Sequence, residues 1–198
     1  ITNFGAPKSR QPLYDALYES FSKALAAAKP GSDTQLILLR GLISISSYST
    51  QGEDLCRDIA RGAFEDTVGD IAYATGIPYD QNLGWSALGT LAGRNLVTVA
   101  DLDRAAQYNP SSISKNGYAF AIAAIPDADH KAAAYKRIME DSSLSNDALT
   151  STANGFLRGD VELRTPYYKP FFDSLLSMWD TRSIGMATRI VRGLYPRS

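Results

Sequence analysis

Ser32-Asp33-Thr34-Gln35-Leu36-Ile37-Leu38-Leu39-Arg40-Gly41-Leu42-Ile43-Ser44-Ile45 is the stretch on which the fold turns. Ser32 and Gln35 stand at the spacing with which a hydroxyl N-cap and a glutamine close the first turn of a helix. Behind that cap, Leu36, Leu38, Leu39, Leu42, Ile43 and Ile45 fall on more than one side of a helical period. Such a helix is sandwiched between neighbours.

Working outward, Leu13, Leu17, Phe21 and Leu25 recur every fourth position between Arg10 and Lys29, with Tyr14 and Tyr18 beside them. They form one stripe of an earlier helix that Pro30-Gly31 ends. Downstream, a helix is expected from Glu53 to Phe64, then a less regular stretch to Gly76-Ile77-Pro78. Asp80 to Gly93 carries Leu83, Leu88 and Leu91, and Thr98 to Tyr108 opens on a second cap spacing, Thr98 with Asp101, and stops at Asn109-Pro110. Ser111 to Ile125 is rich in alanine; Pro126-Asp127 caps a helix to Glu140 with Ala128, Ala132, Tyr135 and Met139 expected on one face. Ser145 to Leu157, Pro166 to Trp179 and Ile184 to Leu194 complete the set. No useful segment alternates with period two between hairpin turns.

About ten short helices, punctuated by Pro and Gly, predict an all-α fold: antiparallel helix pairs stacked as an irregular α-solenoid of the HEAT or armadillo kind. The expectation is a single helical domain over 1–198, with a compact bundle as the alternative. Trp179, Phe156 and Tyr167 are expected in the core.

Bulk properties narrow the function. A chain of 198 residues, 44% hydrophobic, can bury one substantial core or a row of smaller ones. Twenty basic and twenty-one acidic residues with no basic run make nucleic acid an unexpected partner. Cys56 is the single cysteine, so no intrachain disulfide forms; it reads as a small buried hydrophobe in a reducing, cytoplasmic setting. The apolar run Tyr118 to Ile125 falls well short of the ~20 residues that span a bilayer. The chain opens at Ile1 without methionine, and a piece of a longer polypeptide is expected.

Catalytic motifs are scarce. His130 is the only histidine, whereas a gluzincin site needs two, one helical turn apart, and a glutamate that activates the metal-bound water. Its setting, Asp127-Ala128-Asp129-His130-Lys131, suits a solvated or capping residue. No Gly-x-Ser-x-Gly elbow presents a serine, and Gly89-Thr90-Leu91-Ala92-Gly93 lacks the Lys-Ser/Thr of a phosphate loop, so its small residues are read as permitting close helix packing. No catalytic residue, metal ligand or cofactor is assigned to this chain. The last third interleaves aromatics with arginines and lysines, and Arg158, Arg164, Lys169 and Tyr168 are the candidates for a substrate-facing or interdomain surface, the cations as carboxylate partners.

Several stretches together resemble the C-terminal helical domain of bacterial aminopeptidase N: 29–36, Leu83-Gly84-Trp85 leading to Ala92-Gly93-Arg94, and 130–135. So do Gly155-Phe156, Pro166-Tyr167 with Phe171-Phe172, Trp179, Arg182, Ala187 and Gly193-Leu194-Tyr195-Pro196. The likeness runs in order from about Leu13 to Pro196. It implies a domain of the zinc aminopeptidase family whose catalytic half, with the zinc and its His-Glu-x-x-His motif, precedes this chain. The implied partners are that catalytic domain and the peptide substrate, and the implied role is to cover the active-site cavity and limit peptide access. A free-standing HEAT-like interaction scaffold would share the helices and the missing motifs. The length of open reading frame upstream of Ile1 separates the two.

Overall fold

The computed structural model describes residues 6–65, 71–72, 74 and 76–196. Among them are ten α-helices: α1 (Pro7–Ala27), α2 (Asp33–Ile45), α3 (Glu53–Arg61), α4 (Gln81–Ala92), α5 (Val99–Tyr108), α6 (Ser112–Ala124), α7 (Ala128–Glu140), α8 (Asn146–Phe156), α9 (Tyr168–Thr181) and α10 (Ile184–Leu194). Two 3-10 turns, Val161–Leu163 and Thr165–Tyr167, lead into α9. No strand occurs among the described residues, and no helix in them is long and apolar enough to cross a membrane.

Most starts are written in the chain as caps. Ser32, Asp80, Thr98, Ser111, Asp127, Ser145 and Ser183 each accept a hydrogen bond from the backbone amide three residues on. Thr98 and Asp101 close a full capping box. At α2 the reciprocal arm differs: Gln35 Oε1 accepts from the Gly31 amide at 2.8 Å, one residue before the cap.

The helices pair in chain order, α1 with α2 through α9 with α10, and the even members continue as one row, α2 against α4, α6, α8 and α10. The odd members make no comparable contact with one another, so the stack is tighter along the even row and opens along the odd one. This is an all-α, solenoid-like array. Sandwiched α2 buries Leu39, Leu42 and Ile43 almost completely and packs on α1 and α4. Its burial matches the doubly apolar pattern.

Two core clusters follow one another along the stack. The first runs from Leu25 of α1 to Ala121 and Ile125 at the end of α6, and the second from Ala123 of α6 to Leu194 of α10. The alanine-rich α6 serves both because small side chains let α4 and α8 approach it closely. A Cβ on Gly89 would strike the Phe120 ring, and one on Gly155 would meet the Phe120 carbonyl and the Ala123 methyl. Close packing is therefore the use of the Gly89–Gly93 segment.

Some expectations need correction. In α7 the buried face carries Lys131, Ala134 and Ile138, with Tyr135 and Met139 at its edge, while Ala128 and Ala132 face solvent. Alanine is compatible with either side, and the lysine disguised the inner one. Phe156 is buried and Tyr167 packs against the second core, but Trp179 is 47% exposed. It shares a face of α9 with Phe172 and Leu176, over which no described helix packs. The irregular stretch before Gly76 lies partly outside the described residues.

Candidate functional site

The even helices run the same way, so their C-terminal ends gather at one side of the array. Each such end presents unpaired carbonyls and partial negative charge. Arg94 Nη1 donates to the Ser46 carbonyl at the end of α2, at 3.3 Å. Lys131 Nζ donates to the carbonyls of Ala123 at 2.7 Å and Gly155 at 3.2 Å, tying the last turns of α6 and α8 together. Lys131 is wholly buried. Burial, reinforced by the Arg164 and Arg158 guanidinium groups and opposed by Asp127, pushes its ammonium down to about 7.

Arg158 stands just past Leu157, the C-cap of α8. Its Nη1 donates to Ser47 Oγ at 3.1 Å, and its guanidinium lies 5.8 Å from the Tyr48 ring centroid and 5.6 Å from that of Phe120. Two aromatic faces and a hydroxyl thus hold one cation in place, with further donors of the fork left for a carboxylate or amide. The group stands in a cleft of about 540 Å³ bounded by Ser44, Tyr48, Ser151 and Asn154. Phe120 and Ser151 also wall a second cleft, about 360 Å³, that continues across α4, α6 and α8 past Asn82, Asn116 and Asp147. The exposed side of the even row therefore carries two adjoining clefts of mixed aromatic and polar lining, with the Asp147 carboxylate in one and the Arg158 cation in the other.

The four residues singled out from sequence do not all meet there. Arg164, half-buried in the 3-10 corner, adds its charge beside Lys131, and its Nε is buried without a hydrogen-bond partner among the described residues. Lys169 is exposed and pairs with Asp173 at 2.6 Å, one turn along α9. Tyr168 is the half-buried first residue of α9 and lines none of these clefts. Sequence reading missed Lys131, although the helical spacing of 131, 134 and 138 places it on the face of Ala134 and Ile138. It also missed Tyr48, Phe120 and the groove asparagines, which carry no motif.

A cleft of about 750 Å³ opens on the odd row between α3 and α5. Leu88 and Leu91 line it, and several of its charges are paired: Arg61 with Asp58, Arg104 with Asp101 and with the Phe64 ring at 4.6 Å, and Arg57 with Glu53 beside it. His130 Nδ1 lies 2.7 Å from Asp127 Oδ2, the N-cap carboxylate of its own helix. No group of three or more His, Cys, Asp or Glu side chains that could hold a metal ion occurs among the described residues.

Paired helices with adjoining clefts along the tighter row define the class: an all-α helical-array domain. The chain belongs to the ERAP1-like C-terminal domain family, whose profile matches residues 4–198. It is also similar to aminopeptidase N of Streptomyces lividans, with 28% identity over 197 residues, covering 99% of this chain. The chain spans 22% of the length of that relative.

Proposed function

We propose that this chain is the non-catalytic C-terminal domain of a zinc aminopeptidase, packing on the catalytic domain, covering its active-site cavity and controlling which peptides reach it. The observation that carries the reading is the pair of adjoining clefts along the even row, with Arg158 held between Tyr48 and Phe120 in one of them. Family membership and the likeness to an aminopeptidase N support the parent activity, the removal of N-terminal residues from peptides; the single buried cysteine suits a reducing, cytoplasmic setting. A HEAT-like array suits the role, because a curved wall closed over a cavity excludes water and restricts substrate length.

Zinc belongs to the catalytic part, since a lone His130 paired to its own N-cap cannot supply the ligand set. In this reading Arg158 offers its charge to the far end of a peptide from its cleft, while Arg164, Lys169 and Tyr168, which line neither cleft of the even row, are candidates for the interdomain surface. The exposed stripe Phe172, Leu176 and Trp179 is the surface suited to packing on the catalytic domain.

In the full-length polypeptide, Arg158→Glu, Arg164→Glu and Lys169→Glu are expected to change kcat/KM for peptides of six or more residues several-fold more than for alanyl-anilides. Equal effects on both substrates would reduce these residues to a structural role. The isolated chain is expected to release nothing from alanyl-anilides; chelator-sensitive turnover by it would overturn the non-catalytic assignment.

A further inference from the structure

Three consecutive even helices each place one asparagine along the two adjoining clefts: Asn82 of α4 and Asn116 of α6 in one, and Asn154 of α8 in the next. Asn82 and Asn154 are exposed and Asn116 is half-buried. None of the three side-chain amides is engaged in a hydrogen bond among the described residues. The neighbouring hydroxyls of Ser86 and Thr150 are turned to the backbone instead, Ser86 Oγ donating to the main-chain carbonyl of Asn82 at 2.7 Å and Thr150 Oγ1 to that of Asn146 at 2.8 Å.

A primary amide offers one acceptor and two donors, the same pairing that a peptide group offers in reverse. Folded proteins pair their own peptide groups, so a row of free amides in a groove matches a chain whose backbone is still unpaired, an extended peptide. The spacing agrees. Packed helices lie about 9 Å apart and rise ~1.5 Å per residue, which sets successive asparagines roughly 10–13 Å apart along a diagonal. An extended chain covers that in about three or four residues.

We propose that Asn82, Asn116 and Asn154 form a ladder that binds the main chain of an extended peptide, independently of its side chains, along the even row. The inference rests on reading this groove as the peptide-facing wall and adds to it what is recognised: backbone amides rather than a terminus. Phe120, between the two clefts, gives the peptide an apolar rest between asparagines, and Asp147 and Arg158 mark the ends of the track.

The test uses the full-length polypeptide and an octapeptide of alternating Ala and Thr, capped with fluorescein at its amino end and with an amide at its carboxyl end. Lacking both termini, this probe is neither cleaved by an aminopeptidase nor held as a carboxylate by Arg158. Fluorescence anisotropy is expected to give saturable binding that each single Asn→Ala change weakens about 2- to 10-fold and the triple change by more than about tenfold. A probe N-methylated at alternate residues is expected to bind as poorly as the triple variant, while an Ala/Lys sequence binds as well as Ala/Thr. No saturable binding, a triple variant within a factor of two of the parent, or undiminished binding of the methylated probe would each overturn the ladder. If the triple variant fails to fold by circular dichroism, the single changes at exposed Asn82 and Asn154 decide. The length-dependent effects of Arg158→Glu on turnover are scored separately, so access control survives or fails independently of the ladder.

Discussion

A lysine ammonium taken out of water needs oxygen atoms to replace its hydration, and the two helix-end carbonyls at Lys131 supply them without a carboxylate in contact. The cost shows in its titration, about 7 when folded against 10.5 in the open chain. Between those values the unfolded chain carries the extra proton, so stability rises with pH through that window, by at most about 1.4 kcal/mol per pH unit. Lys131→Met removes the difference, and urea melts of the variant from pH 7 to 9.5 are expected to lose that slope; an unchanged slope would place the pH dependence elsewhere. Cys56 is the second buried titrating residue of note. Burial pushes its thiol up to about 11, so a thiol-reactive disulfide reagent at pH 8 is expected to leave native protein unmodified and to label it only after unfolding. Rapid labelling of the native chain would contradict its buried placement.

Helix spacing along the even row depends on positions that have no side chain. Gly155 faces backbone and a methyl group of α6, neither of which can swing aside, so Gly155→Ala is expected to force α6 and α8 apart and cost about 1–3 kcal/mol in denaturant melts. Gly185 in α10 is the control: an added Cβ would meet only the flexible end of Arg189. Gly185→Ala is expected to be neutral or to stabilise by about 0.5–1 kcal/mol through helix propensity. Similar losses at both glycines would show that close approach is not what Gly155 serves. The same packing brings the Ala123 and Gly155 carbonyls within reach of Lys131.

For the whole molecule, the exposed face of α9 is the feature that an array standing alone would not favour, since terminal repeats of stacked helices normally present polar outer sides. With Phe172, Leu176 and Trp179 uncovered, the isolated chain is expected to self-associate with rising concentration in sedimentation velocity, and Leu176→Glu to restore the monomer. A monomer at all concentrations would show that this stripe is too small to drive association. The array itself was legible from the chain because caps and apolar recurrence act within a turn or two: Thr98 with Asp101 and the Ile184–Leu194 pattern mark their helices from neighbours alone. The doubly apolar α2 foretold a sandwiched helix for the same reason. The site was not legible in that way. Arg158 meets Ser47 across 111 positions, and Lys131 is buried because the ends of α6 and α8 converge on it. Nothing in the spacing of polar residues says which helix ends will meet or which side of a helix the tighter row will turn outward. Those outcomes depend on close packing between helices distant in the chain, so the chain's local pattern specifies helices and their stacking, and long-range packing specifies the groove.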